Sequence, residues 1–167
     1  MQLEIRKANK KDIVLIRNIL NHEIENSTAV YDKTPKSLQE ITVWLEQKQK
    51  TGFPVIVAVS ENEILGYGSY GKFRPWEGFR YSVEHSIYVA FQHRGKGIGK
   101  KLLQELIKLA KNENYHSMIA GIDAANNKSI HFHEQFGFKK VGHIPEAGFK
   151  FGRWLDLVFM QLMLEEK

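Results

Sequence analysis

"RYSVEHSIYVAFQHRGKGIGKKLLQELIKLA", Arg80 to Ala110, decides how this chain is built. Its first third alternates: Tyr81, Val83, His85, Ile87 and Val89 point one way, and Arg80, Ser82, Glu84, Ser86 and Tyr88 the other. That is the period of a strand. Its last third sets Ile98, Leu102, Leu106, Leu109 and Ala110 at helical spacing. Between them, Gly95, Gly97 and Gly99 occupy alternate positions among Arg94, Lys96 and Lys100. Glycine inside a helix costs roughly 1 kcal/mol relative to alanine. Glycines clustered at a helix start must therefore serve something that alanine cannot. A helix N-terminus presents unpaired N–H groups and the positive end of the helix dipole. Without β-carbons, a phosphate can approach those groups closely, and cations add charge at the rim. The stretch reads as a strand, a pyrophosphate cradle and a helix. From spacing alone, a flexible basic turn with no ligand is the competing reading.

Two better-known phosphate motifs do not fit. Gly95 to Lys101 reads G-K-G-I-G-K-K, which lacks the spacing of a P-loop. For a dinucleotide fingerprint, Gly99 comes one residue early and the loop follows about the fourth strand rather than the first.

Working outward, "LEIRKA" reads as a first strand and "KKDIVLIRNILNHEIENS" as a helix capped by Asp12. Thr34 and Pro35 open a second helix that stops at Gly52. "FPVIVAVS" and "EILGYGSYG" form a hairpin, and "KFRPWEGF" is a loop. After the central helix come a strand, "HSMIAGID", and a short helix opened by Asn126 or Asn127 and closed by Gly137. Two last strands, "KKVGHI" and "RWLDLVFMQLML", are joined by a glycine-containing loop. The order is mixed α/β, with strands in a run before the central helix.

The 167 residues suit one domain. The absence of cysteine removes disulfides and thiolate chemistry. The start lacks the apolar core of a signal peptide, and no apolar run reaches the length of a membrane span. A cytoplasmic protein that does not bind membranes is expected. The net charge of +5 suits an anionic ligand. Its densest patch is the glycine loop, and no RNA-type aromatic motif or zinc-finger spacing is present, so nucleic acid is not an expected partner.

"QHRGKGIGKKLL" resembles the acetyl-CoA loop, Q/R-x-x-G-x-G/A, of the GNAT N-acetyltransferase superfamily. "NNKSIHFHEQFGF" is similar to that superfamily's N-x-x-S/A…G-F segment. "VEHSIYV", "ENSTAVYDKTP" and "GRWLD" look like the branch containing phosphinothricin and methionine sulfoximine acetyltransferases. The likeness runs from about Ile5 to Leu162. It implies a single GNAT domain over residues 1–167, of α+β type. Its twisted, mostly antiparallel mixed sheet has splayed central strands and flanking helices. It also implies acetyl-CoA as co-substrate, a small amino-acid-like amine as acceptor, no metal, and a homodimer. A GNAT acting on another amine (a protein N-terminus, a polyamine or an aminoglycoside) is the second reading. A non-catalytic acyl-CoA-binding module is the third.

The resemblance also assigns residues. Glu84 looks like the general base, where alternation alone makes it a solvent-facing glutamate. Ile87, Tyr88 and Val89 would offer backbone groups to the pantetheine arm and thioester, while Ile87 and Val89 also suit a core. Arg94, Gly95, Lys96, Gly97, Ile98, Gly99 and Lys100 would hold the pyrophosphate. Asn126 and Ser129 would reach the pantetheine, although Asn126 suits a helix cap equally well. His133 takes the position where many members have a proton-donating tyrosine. His85 reads as structural, and His131 with His133 makes no zinc site, because H-x-H on a helix splays the rings. For the acceptor, Tyr31 looks like a wall, and Arg74 and Arg80 suit an oxyanion. Arg80 is expected on the Glu84 face. Trp76, Phe79, Lys150 and Trp154 are further candidates.

Overall fold

The computed structural model describes residues 3–61 and 63–164. One seven-stranded sheet runs in the order β1-β2-β3-β4-β5-β7-β6. The strands are β1 (Glu4–Lys7), β2 (Val55–Ser60), β3 (Glu63–Lys72), β4 (Ser82–Val89), β5 (Ser117–Asp123), β6 (Lys139–Lys150) and β7 (Arg153–Met163). Helices α1 (Ile13–Asn26) and α2 (Leu38–Thr51) precede β2; α3 (Ile98–Asn112) and α4 (Asn127–Glu134) flank β5.

Two apolar cores explain the layering. On one face, Ile98, Leu102, Leu103, Leu106 and Ala110 of α3 pack with Leu65, Val83, Met118 and Met160. On the other, Ile16, Ile19, Ile41 and Leu45 of α1 and α2 meet Val57, Ile64 and Tyr67. The central sheet is buried on both faces, so β2 and most of β3 read as continuous apolar runs rather than alternating ones.

Adjacent strands pair antiparallel throughout, except β4 and β5. These two are parallel, and they pair only at Ser82↔Ser117, Val83↔Met118 and Glu84↔Ile119. β4 then continues to Val89 and β5 to Asp123 with no ladder between them. The central strands are splayed, and the sheet opens into a fork whose last rung is Glu84.

Local starts differ from the sequence expectations. α2 begins three residues after Thr34-Pro35's position, at Leu38. Ser37 accepts the Glu40 N–H (3.2 Å) while the Glu40 carboxylate accepts the Ser37 N–H (2.8 Å). That reciprocal box satisfies two orphan donors, which threonine before proline does not. Asp12 does not cap α1 with its side chain. Its carboxylate instead accepts the Asn9 N–H and binds Arg6 at 2.7 and 2.9 Å. α2 ends as expected at Gly52, in the left-handed region. The segment read as a loop before "RWLD" is strand: β6 runs to Lys150. A two-residue turn at Phe151 and Gly152, both with positive φ, joins it to β7. The irregularity lies inside β6, where pairing jumps from Ile144 to Gly148.

Candidate active site

The fork between β4 and β5 leads into an open cleft of about 830 Å³. Three pieces of chain surround it: the glycine loop with the start of α3, the segment from Asp123 through α4, and residues 27–31 after α1.

Gly97 is the N-cap of α3 with φ 77°, and Gly95 has the same positive φ. An L-residue at either position would be strained. Gly99 is ordinary helix, and a β-carbon there would sit 3.7 Å from Val89, in normal contact. The loop thus uses two glycines for conformation and the third to keep the helix start bare. Arg94, Gly95, Gly97, Ile98, Gly99 and Lys100 all line the cleft. Ile98 buries its side chain in the core, so what it can give a ligand is backbone. Lys96 does not line the cleft; it extends outward near His93 Nδ1, at 3.5 Å. Two of the Arg94 nitrogens are engaged by protein. Nε donates to the Val89 carbonyl (3.3 Å), and Nη2 donates to Glu23.

Along β4, Ile87, Tyr88 and Val89 line the cleft. Across it, Asn126 caps α4, accepting the Ser129 N–H at 3.1 Å. Both Asn126 and Ser129 line the cleft, so the capping role and an outward-facing amide coexist in one residue.

Glu84 sits at the closed end of the fork. Its carboxylate makes no hydrogen bond among the described residues. It lies beside Gly121, where a β-carbon would come within 3.1 Å of Oε1. Burial pushes its carboxyl above the ordinary range, and the nearby Arg74 charge partly opposes this. A carboxylate raised towards neutrality and free of partners can take a proton.

His133 faces the cleft, but both ring nitrogens point at protein. Nδ1 lies 2.7 Å from the Ser129 carbonyl and Nε2 lies 3.1 Å from His85 Nε2. A carbonyl can only accept, so Nδ1 carries the hydrogen. Burial pushes both imidazoles down, His85 to about 3 with His133 as a second cause, so both are neutral. His133 Nε2 therefore accepts from His85 Nε2–H. That leaves His85 Nδ1 as a bare lone pair, buried and without a partner among the described residues.

Of the residues expected to meet the acceptor, Tyr31 lines the cleft, donates its hydroxyl to the Asp156 carbonyl (3.0 Å), and presses its ring on Gly148, leaving no room for a β-carbon. Lys150, 2% exposed, is a strut: Nζ donates to the carbonyls of Ser27 (2.7 Å) and Val30 (2.6 Å). Neither Arg74 nor Arg80 lines the cleft. Arg74 stacks over Phe73 (4.2 Å to the ring centroid) and Phe159 (5.8 Å), within electrostatic reach of Glu84. Arg80 is not on the Glu84 face. The strand begins at Ser82, Arg80 ends a short 3-10 turn, and its guanidinium covers Tyr81. The turn that Arg80 ends breaks the alternation before the strand begins. Trp76 and Phe79 face each other on the exposed turn, and Trp154 packs against Phe149 at the surface. No cluster of metal-binding side chains occurs among the described residues.

Sequence reading missed Glu23, Ser27, Thr28 and Asp123, which also line the cleft. Glu23 could have been found: it stands seven residues after Ile16, on the buried stripe of α1, where a charge is out of place.

The comparisons agree with this geometry. The model of the acetyltransferase (GNAT) family matches residues 17–138. An L-methionine sulfoximine/L-methionine sulfone acetyltransferase of Pseudomonas aeruginosa is 45% identical over 99% of this chain and 96% of its own. A phosphinothricin acetyltransferase of Sinorhizobium meliloti, solved with acetyl-CoA, superposes with a TM-score of 0.94. It is 37% identical and covers 98% of this chain and 89% of its own. A structure described as a ribosomal-protein-alanine N-acetyltransferase of Brucella melitensis has a TM-score of 0.95. It is 47% identical over 96% of this chain and 99% of its own. With a family match over most of its length, and with the forked sheet and glycine-capped helix the family resemblance implies, this chain belongs to the GNAT family of N-acetyltransferases.

Proposed function

We propose that the protein transfers the acetyl group of acetyl-CoA to the α-amino group of an amino-acid-like acceptor such as methionine sulfone, methionine sulfoximine or phosphinothricin. The observation that carries this is Glu84, without a hydrogen-bond partner among the described residues and partly buried at the closed end of the fork, with the glycine loop at the other end of the same cleft. The names of the relatives described above support the acceptor class.

In this reading the bare N–H groups at the start of α3, with Arg94 and Lys100, hold the pyrophosphate. Past Glu84 the edge of β4 that faces the fork has no strand partner, so Ile87, Tyr88 and Val89 offer backbone groups to the pantetheine arm and polarise the thioester carbonyl. Asn126 and Ser129 hold the arm from the α4 side. Glu84 takes a proton from the acceptor ammonium, directly or through water, and the neutral amine attacks the thioester carbon. The C–N bond forms as the C–S bond breaks; the nitrogen gives up its second proton, which balances the one taken up by the departing thiolate. His133 borders this point; to supply that proton it must leave its bonds with Ser129 and His85. Arg74, near Glu84, is the better-placed cation for the acceptor's carboxylate; Arg80 faces Tyr81. Tyr31 forms the acceptor wall.

The competing acceptor is a protein N-terminus, favoured by the description of the Brucella structure. The test is turnover, read as free thiol, against methionine sulfone, phosphinothricin, an alanine-initiated peptide and a polyamine. Faster turnover of the peptide than of every amino acid would overturn the amino-acid reading. We also propose a homodimer, supported by the exposed Val141, Ile144, Phe149, Phe151 and Trp154 on and beside edge strand β6. Light scattering checks it. No helix among the described residues is long and apolar enough to cross a membrane, and we place the enzyme in the cytoplasm with its acetyl donor.

A further inference from the structure

Glu23 is 3% exposed on the apolar stripe of α1. A buried carboxylate needs partners for both oxygens. Oε1 accepts from Arg94 Nη2, and Oε2 accepts from Ser27 Oγ at 2.8 Å. The two donors belong to opposite walls of the cleft. Arg94 immediately precedes Gly95 and also holds the end of β4 through the Val89 carbonyl. Ser27 opens the acceptor-side loop: its Oγ accepts the Ala29 N–H (3.2 Å), and its carbonyl accepts from Lys150. One carboxylate thus joins the anion-binding loop to the acceptor-side loop. A separate tie, Thr28 Oγ1 donating to Asp123 Oδ2 (2.5 Å), fastens the acceptor-side loop to β5 rather than to the glycine loop.

We propose that Glu23 is a positioning residue that couples the two walls, so that filling the glycine loop orders residues 28–31; this rests on the reading of the cleft as an acetyl-CoA site. An anion held at the glycine loop fixes Arg94, and a fixed Arg94 restrains Glu23 and, through it, Ser27. Order already imposed on one wall then lowers the entropy still to be lost at the other. The carboxylate accepts from both neighbours at once, while the Ser27 hydroxyl also reaches the Glu23 carbonyl (3.1 Å), so a glutamine amide would still be able to donate to Ser27 Oγ. Leucine keeps the bulk on this apolar stripe and accepts from neither neighbour.

Hydrogen exchange of the whole protein, with and without saturating coenzyme A, tests this without any acceptor. In the wild type, coenzyme A should slow amides in 95–100 and also in 28–31, the latter on the order of tenfold, an ordinary size for coupling between sites. Glu23→Leu should keep the slowing at 95–100 and hold that at 28–31 to within about twofold of none. Ser27→Ala should do the same with the Arg94–Glu23 pair intact, and it serves if the first variant does not fold. Slowing at 28–31 that persists in either folded variant would mean direct contact with the ligand and would overturn the proposal. Slowing confined to 95–100 in the wild type overturns it and leaves the cofactor site standing. No slowing anywhere in the wild type sinks both.

Discussion

Mild acid should loosen this fold through one imidazole. His85 is buried and neutral, with its pKa pushed down to about 3 by desolvation and by His133. In the unfolded chain it returns to about 6.5. Between these values the unfolded state binds a proton that the native state refuses, so stability falls as pH falls. The stability is fully present above about 6.5 and is lost progressively towards 3. From pH 7 to pH 4.5, two units below the unfolded value, the loss is on the order of 2–3 kcal/mol, since each unit is worth about 1.4 kcal/mol. His133 is depressed too and adds in the same direction. His85→Gln isolates the effect: an amide can still donate to His133 Nε2 but does not titrate. Urea unfolding followed by tryptophan fluorescence at both pH values would measure it. The wild type should lose on the order of 2–3 kcal/mol more than the variant, while carboxylate contributions cancel between them. Parallel losses within about 0.5 kcal/mol would show that His85 is not held neutral, and the tautomer chain from Ser129 to His85 would fall with it.

Glu84→Gln should lower kcat by roughly 10²–10⁴ at neutral pH with little change in acetyl-CoA affinity, and recover at high pH, where the amine deprotonates unaided; full activity at pH 7 refutes Glu84 as base. Gly97→Asp should weaken acetyl-CoA strongly in calorimetry, since it puts a carboxylate and a side chain in a left-handed N-cap facing the anion. Arg74→Ala should raise the Glu84 pKa by removing the charge that lowers it, moving the acid limb of the rate profile to higher pH, and should raise the KM of methionine sulfone more than that of its decarboxylated amine. Arg80→Ala should leave both nearly unchanged, and a selective loss for the carboxylate-bearing substrate there would reverse the assignment.

The sheet and its helices were legible because their apolar periods are strong: β4 alternates, and α3 carries its core residues on one stripe. The glycine loop was legible because glycine and cation at a helix start have few other uses. What failed was governed by contacts distant in sequence or by single turns. Arg80 was misplaced because no period reveals that a strand begins at Ser82. The second half of β6 looked like a loop because Pro145 and Gly148 interrupt it, yet pairing with β7 resumes at Gly148 beyond the break. Lys150 resembled a substrate ligand, while its partners are carbonyls some 120 residues away. The His85–His133 pair spans 48 residues and leaves no local signature.

The fork has a mechanical consequence. Half-sheets β1–β4 and β5–β7–β6 share only three rungs, the last at Glu84 and Ile119. Beyond that joint β4 extends five residues, about 17 Å at strand rise. A rotation of one degree about the joint therefore moves the mouth by about 0.3 Å, so a few degrees shift it by an ångström on that lever arm. Glu84 lies on the axis and scarcely moves. The lever places the freedom needed to admit a bulky thioester at the rim, and keeps the proton acceptor where the arm is shortest.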